Sequence, residues 1–422
     1  MKTLFRLLCG TLLALNAGHA AGSTAPRRPV AVAAARSTTP LLLISIDGFR
    51  ADYLERGISP TLRMLADEGV RAQAMEPAFP SLTFPNHYTL VTGEYPDHHG
   101  IVTNSMFDSR LGAFRLDLRK AVGDGRWWNE AEPIWVTADK QGLQTATMFW
   151  PGSEARIHGY RPDHWRPYNG KMPYHARVDT ILHWLDLPGG QRPDFLTLYF
   201  EGVDTAGHFH GPDSPEVNAA IRRVDAALAR LVAGLRQRGL YDKINLIVLA
   251  DHGMAATPPE QRIVLDRLID TRDARVVSTG AIAGIIPAAG HAAELEAALL
   301  KPHAHMTCWK KSRIPARLHY GHNPRVPPLV CSAQVGWLIV SDRIAMLHHG
   351  KPVLGEHGYD NAALSMRALF LAHGPGFRRH AVVPEFPNVD VYPLMTRLLG
   401  LKPQPNDGDF DRVKDMLRPA AR

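Results

Sequence analysis

A short apolar run recurs along this chain, each time ending on polar residues able to hold an ion or a proton. Residues 41–46 (Leu-Leu-Leu-Ile-Ser-Ile) stop at Asp47-Gly48, and residues 195–200 lead into Glu201-Gly202-Val203-Asp204. Residues 244–250 lead to Asp251-His252-Gly253, and residues 368–372 to His373-Gly374. Apolar runs of this length without alternation are the mark of strands buried on both faces. Between them, residues 61–68 and 217–237 carry apolar positions at helical spacing and end at Gly69 and Gly239, where a helix C-cap favours glycine. Strands alternating with helices predict an α/β fold with a mostly parallel central sheet flanked by helices. Such sheets place their ligand sites beyond the carboxyl ends of the strands.

Residues 257–351 break this rhythm. An alanine-rich helical segment at 292–300 precedes a proline- and histidine-rich stretch at 303–328 and a strand-like Gly336-Trp337-Leu338-Ile339-Val340. This stretch is expected to be an inserted, smaller α+β lobe capping the site. At the other end, Met1, Lys2 and Arg6 precede an apolar run at 7–17 and then Gly18-His19-Ala20. That order predicts a signal peptide over residues 1–20, a flexible lead-in over 21–39, and one main domain over 40–422. The run is too short to span a bilayer, and no later segment is long and uncharged enough. A lipid anchor at Cys9 is the competing reading, but Cys9 comes before the apolar run is complete.

Cleavage leaves Cys308 and Cys331, which an oxidising compartment predicts to be bonded to each other. The 422 residues, 45% hydrophobic and 21% charged, describe an ordinary globular protein. A net charge of +7 raises the question of nucleic acid. The basic residues are scattered, however. The richest stretch, with Lys310, Lys311, Arg313, Arg317 and Arg325, is broken by prolines and lacks the aromatic spacing of a single-strand platform. It reads as a solvated loop or as support for an anionic substrate, and no nucleic-acid partner is expected.

The chemistry lies in Asp47, Thr83, Asp204, His208, Asp251, His252 and His357. Carboxylates and imidazoles without a cysteine are the donors of a hydrolytic zinc site, and they outnumber what one catalytic zinc takes. Shared between two ions they leave room for a bridging phosphate. Asp204 and His208, four residues apart, fall on one face of a helical turn, and His357 would complete a three-ligand site. Asp251 and His252 both reach one ion only in the tight turn that Gly253 permits, with Asp47 as their companion. Thr83 is the candidate nucleophile, a hydroxyl whose pKa zinc would lower. Asn104 is the candidate donor to a non-bridging phosphate oxygen.

Each has a plainer reading when taken alone: Asp47 and Asp251 as turn residues, Thr83 as a helix cap, Asn104 as a turn anchor. Their joint occurrence and order carry the case. His98, His99, His303, His305, His348 and His349 have no strand-end carboxylate beside them and read as surface residues or supports behind the site. Arg50 reads as structural.

These residues sit in Ser45-Ile46-Asp47-Gly48-Phe49-Arg50, in residues 80–87 around Thr83, and in His99-Gly100-Ile101 with Asn104. Further along stand residues 204–208, residues 250–253, residues 355–361 (Gly-Glu-His-Gly-Tyr-Asp-Asn), and Pro405-Asn406-Asp407-Gly408. With these motifs, from about Leu41 to Gly408, the chain resembles the nucleotide pyrophosphatase/phosphodiesterase family of the alkaline phosphatase superfamily, and looks like a bacterial periplasmic member. The resemblance implies an alkaline phosphatase-like catalytic domain and two zinc ions per chain. Asp204, His208 and His357 would hold one, and Asp47, Thr83, Asp251 and His252 the other. It also implies attack by Thr83 through a covalent threonine phosphate, with Asn104 against the phosphate oxygen.

The expected substrate is a small nucleotide or phosphodiester, hydrolysed to nucleoside monophosphates. Diesters are favoured because the neutral Asn104 suits a monoanion better than a monoester dianion. Phe84 and Tyr168 are candidates to sandwich the base. The alternatives are a phospholipase C-like or choline phosphodiesterase on the same scaffold, a monoesterase, and a non-catalytic periplasmic zinc-binding protein.

Overall fold

Leu41–Ile46, the first strand (β1), is buried at every position and pairs in parallel with a strand on each side, which is why its side chains are apolar without alternation. It lies at the centre of a computed structural model that describes residues 39–342 and 353–419. The expected signal peptide, most of the lead-in, and His348 and His349 lie outside the described residues. The strands that follow are β2 (Val70–Ala72), β3 (Thr145–Met148), β4 (His164–Trp165), β5 (Phe195–Phe200) and β6 (Asn245–Leu249). Then come β7 (Ala274–Ser278), β8 (Ile282–Pro287), β9 (Met306–Lys310), β10 (Leu329–Ala333), β11 (Phe370–His373) and β12 (Ala381–Val383).

Eight of them form one sheet in the order β12-β2-β11-β6-β1-β5-β3-β4. The pairings are parallel except those of β11, which runs antiparallel to both β6 and β2. The mostly parallel sheet is as expected, with one consequence that the apolar pattern conceals. β11 delivers His373 to the edge opposite the carboxylates. There the His373 ring stacks on Tyr241, with centroids 4.5 Å apart, and the next residue, Gly374, abuts the start of β6: an added Cβ would meet Ile244 O at 2.4 Å.

Helices cover the sheet. Pro215–Gln237 buries Val217, Ile221, Val224, Leu228, Leu231 and Leu235, a stripe at helical spacing, and Ser214 caps it by accepting from Val217 N–H. Gly239 (φ +62°) adopts the left-handed conformation expected of it. Gly69 does not: its φ is −118°. Glycine is needed there because β11 passes close, so that a Cβ would sit 2.1 Å from Ala372 O.

Strands β7–β10 build a second, antiparallel sheet in the order β7-β8-β10-β9. It has its own apolar cluster, with Leu265, Ile285, Leu295, Leu299, Leu329 and Ile339. Cys308 and Cys331 face each other across β9 and β10 and form the expected disulfide. Ties run from this part to the rest. Asp97 accepts N–H groups from Gly321, His322 and Asn323, and buried Arg325 donates to Gly100 O and Trp127 O. The basic stretch is divided: Arg325 is committed inward and Lys311 donates to Asn323 O, while Lys310 and Arg317 form exposed pairs with Glu296 and Asp360, as a solvated loop would. No helix among the described residues is long and apolar enough to cross a membrane.

Candidate active site

β5, β1 and β6 are neighbours in parallel register, with Ile46 opposite Phe200 and Ser45 opposite Leu249. Their carboxyl ends therefore open at one edge, and the loops leaving them lock together. Asp47 N–H donates to Phe200 O (2.9 Å), Asp204 N–H to Asp47 O (3.1 Å), and Gly48 N–H to Asp251 Oδ1 (3.1 Å). Gly48 has φ +68°, and a Cβ there would meet Asp204 Cα at 2.9 Å, so only glycine allows the loops to come this close.

Around this junction the predicted residues converge. In the helix Gly202–His210, Asp204 and His208 share a face: Asp204 Oδ1 lies 3.4 Å from His208 Nε2 and 3.4 Å from His357 Nε2, and the two nitrogens are 3.2 Å apart. Beside them, His252 Nε2 lies 3.4 Å from Asp47 Oδ1, 3.0 Å from Asp251 Oδ2 and 3.2 Å from Thr83 Oγ1. The His252 and His357 rings stack at 3.5 Å and join the two groups.

This donor set fits divalent cations on two independent grounds. The Nδ1 atoms of His208, His252 and His357 each lie 2.9 Å from a backbone carbonyl, of Gly355, Gly253 and Ser81 respectively. A carbonyl only accepts, so Nδ1 carries the proton and Nε2 turns a lone pair inward, the arrangement that orients a metal-binding imidazole. Asp47 Oδ1, Asp204 Oδ1 and Asp251 Oδ2 are also buried without a hydrogen bond, a costly state unless a cation faces them.

The electrostatics agree. Burial, then Asp251 and Asp204, drive the Asp47 carboxyl well above its ordinary range. Burial pulls His208 down, but Asp204 and Glu356 overcome it and raise it to about 9. Both reflect an excess of buried negative charge, which a cation would neutralise.

Thr83 opens the helix Thr83–Thr92 and borders a cavity of about 500 Å³ whose lining includes Phe84, Asn104, Leu116, Phe149, Tyr168 and Tyr199. Asn104 Oδ1 accepts from Phe84 N–H (2.9 Å), which assigns the amide NH₂ as the donor available to a ligand. Phe84 packs its ring on Phe114 and Trp128, at 5.9 and 6.0 Å. Tyr168 sets its ring against Phe149 (5.2 Å) and Tyr199 (6.1 Å). Its backbone is gripped on both sides: its N–H donates to Glu154 Oε1 (2.7 Å) and its carbonyl accepts from Arg119 Nη2 (2.6 Å).

Several functional neighbours escape a reading of the sequence. Tyr199 hides in an apolar run, yet its hydroxyl donates to Asp47 Oδ2 at 2.5 Å. Glu356 lies 3.7 Å from His208 Nδ1 and 3.8 Å from His357 Nε2. His87 stands behind Asp251, and its spacing of four from Thr83 is the signal that reveals it.

Other expectations change. His99 is no surface residue: it is a fully buried core histidine on Thr89 Oγ1 (3.0 Å), lowered to about 3 first by burial. His98 pairs with Asp407, His303 caps carbonyls of Ala298 and Leu299, and His305 stacks on Trp337. Arg50 is structural, as expected, donating to Asp52 and Met254 O.

Residues 41–360 match the family described as type I phosphodiesterase / nucleotide pyrophosphatase. The chain belongs to that family. Membership places it among the phosphodiesterase and pyrophosphatase enzymes after which the family is named. A fission yeast protein described as an uncharacterized pyrophosphatase/phosphodiesterase is 38% identical over 399 residues, covering 90% of this chain and 80% of that one. A venom phosphodiesterase of the rattlesnake Crotalus adamanteus is 39% identical over 391 residues, covering 90% of this chain and 48% of its own length. Human ectonucleotide pyrophosphatase/phosphodiesterase family member 1 is 38% identical over 395 residues. There the coverage is 90% of this chain but only 42% of the human one, so the chain spans less than half of these longer animal relatives. Among solved structures, murine ectonucleotide pyrophosphatase/phosphodiesterase 5, as an inactive threonine-to-alanine variant in complex with AMP, superposes with a TM-score of 0.85 at 36% identity. That match covers 90% of this chain and 100% of the murine one, and supports the alkaline phosphatase-like α/β fold.

Proposed function

We propose that this protein hydrolyses nucleotide pyrophosphate and phosphodiester bonds with two zinc ions, through a covalent phosphate ester on Thr83. The observation that carries the reading is the position of Thr83 Oγ1: 3.2 Å from His252 Nε2, at the junction of two ligand clusters, and on the wall of an aromatic-lined cavity. Asp204, His208 and His357 would hold one ion, and Asp47, Asp251, His252 and Thr83 the other. When bound, the ions supply Lewis-acid charge and favour ionisation of the attacking hydroxyl.

The rest falls to the chain. Asn104 would offer its NH₂ to a phosphate oxygen, and because its Oδ1 accepts the Phe84 N–H the amide is oriented before substrate arrives. Phe84 and Tyr168 would take the base between them, and the braced backbone of Tyr168 holds that wall in place. The murine relative, inactive as a threonine-to-alanine variant and in complex with AMP, supports a threonine nucleophile and a nucleotide ligand.

The cavity also favours a diester. Arg119 is the only lysine or arginine among its lining residues, and it donates to Tyr168 O. A choline head group would look for spare carboxylates, and two of those lining the cavity are already paired, Glu201 with Arg177 and Asp117 with Arg115. The reading of residues 1–20 as a cleaved signal to the periplasm belongs to the same proposal, and the disulfide supports it.

The test is a substrate panel (thymidine nitrophenyl phosphate, a nucleoside triphosphate, glycerophosphocholine and a nitrophenyl monoester) run on the wild type and on Thr83→Ala, with zinc measured in both. The nucleotide substrates should be fastest. Thr83→Ala should lose at least roughly 10³-fold in kcat, as expected for a removed nucleophile, while the zinc content stays near two per chain. Turnover by Thr83→Ala within tenfold of the wild type would overturn the threonine ester. Glycerophosphocholine as the best substrate would overturn the nucleotide reading.

A further inference from the structure

His87 is fully buried, one helical turn beyond Thr83, and none of the roles above uses it. Its Nδ1 lies 2.9 Å from Thr83 O, and 3.2 Å from Asp251 Oδ2. Its Nε2 lies 2.8 Å from Ser45 Oγ, on β1 two residues before Asp47. These contacts fix the ring's protonation pattern. The Thr83 carbonyl can only accept, so Nδ1 bears the proton; Nε2 then accepts from the Ser45 hydroxyl. Both nitrogens are committed, which leaves no lone pair for an ion even though His87 lies within ligand distance of Asp47 and Asp251. The ring edge is wedged at 4.9 Å from Trp150 and 5.3 Å from Tyr199.

We infer that His87 is a positioning residue. It ties the Thr83 backbone to β1 through Ser45 and sets its N–H beside Asp251, and so fixes the distance between the attacking hydroxyl and the carboxylate of the second ion. The inference rests on the threonine-nucleophile reading given above. The physical case is that Thr83 sits at a helix start, where the chain has few internal bonds to hold it. The helix N-cap, Leu82, offers no side-chain hydrogen bond. Asn104 Oδ1 takes the Phe84 N–H, and the buried His87 ring adds a donor to the Thr83 carbonyl and links it to β1 through Ser45. His87 Nδ1 also lies 3.2 Å from Asp251 Oδ2, so one side chain touches both the Thr83 backbone and the Asp251 carboxylate.

The variants that decide this are His87→Asn, His87→Gln and His87→Ala. The asparagine amide nitrogen superposes on Nδ1 and keeps the donor to Thr83 O; the glutamine nitrogen reaches the Nε2 position and loses it. The measurements are zinc affinity by competition with a chelator, kcat and KM on thymidine nitrophenyl phosphate, and the melting temperature. His87→Gln and His87→Ala should lose 10- to 100-fold in affinity for one of two zinc ions, the range for removing a group that supports a metal ligand, and a similar factor in kcat, with KM within about threefold. His87→Asn should recover most of both. A role in packing alone predicts instead that Asn and Gln fall in melting temperature without separating in zinc affinity or kcat, and that result overturns the inference. So does zinc affinity and kcat within twofold of wild type in all three. If His87→Ala does not fold, the Asn and Gln pair still decides. Should the wild type itself bind no zinc or cleave no diester, it is the proposed function that fails.

Discussion

Phe84 follows Thr83, the proposed nucleophile, directly and makes separate contacts through its two ends. Its N–H is held by Asn104 Oδ1, while its ring lines the cavity against Phe114 and Trp128. The backbone contact survives truncation of the ring, so Phe84→Ala isolates the stacking role. Stacking of a base on an aromatic ring contributes about 1–3 kcal/mol. Phe84→Ala should therefore raise KM for a nucleotide substrate about tenfold, and change turnover of bis-nitrophenyl phosphate less than threefold. Equal losses on both substrates would refute the base-stacking role. At this scale the candidate metal cluster was legible because its residue types are themselves the chemistry: Asp47, Asp204, His208, Asp251 and His252 stand near strand ends or at helical spacing, and His357 joins them through its motif. Tyr199 was not legible, since a tyrosine inside an apolar run looks like any strand residue until its hydroxyl is seen 2.5 Å from Asp47. Glu356 was obscured by its neighbour His357, and His99 was misread because a histidine satisfied by a buried threonine leaves no mark in the sequence.

Among the elements, the junction of β5 with the helix Gly202–His210 is held by a buried ion pair. Arg177, wholly buried in the helix Tyr174–Leu185, donates from Nη1 to Glu201 Oε2 (2.6 Å) and Tyr199 O (2.8 Å), and from Nη2 to Glu201 Oε1 (2.9 Å). It thus clamps the strand end that delivers Tyr199 and Asp204. Removing one member of such a pair leaves the other charge unpaired, at a cost of about 3–5 kcal/mol. Arg177→Met should destabilise the protein by about that much in urea unfolding, and Arg177→Met with Glu201→Leu should recover most of the loss. A single substitution costing under about 1 kcal/mol would show that the clamp is dispensable. Strand and helix existence was legible here from periodicity alone. Strand direction was not: β11 reads like its neighbours in sequence, yet it runs against them, and the reason for Gly69 lies in that strand passing overhead rather than in the helix it terminates.

For the molecule as a whole, the site concentrates unmet negative charge at the end of the central sheet. Asp47, Asp204 and Asp251 each bury an oxygen without a hydrogen bond, and they come from three different parts of the chain. The mostly parallel topology that made this convergence predictable also makes the fold depend on whatever neutralises it. A ligand that binds only the folded state stabilises it by RT ln(1 + [L]/Kd), about 4 kcal/mol at a thousandfold excess over Kd. With an unfolding entropy near 2.1 cal/mol/K per residue, a chain of this size should gain about 5 °C for each ion bound at that excess. Dialysis against a chelator should accordingly lower the melting temperature by roughly 5–10 °C, and returning zinc should restore it. The Asp47→Asn variant sharpens the test, because it removes a buried charge repelled by Asp251 and Asp204 along with a candidate ligand. It should bind less zinc, and in chelator it should melt at or above the wild type, since burying an amide beside Asp204 and Asp251 costs less than burying another charge. A wild type whose melting temperature is indifferent to chelator and zinc would mean that the carboxylates are satisfied without cations.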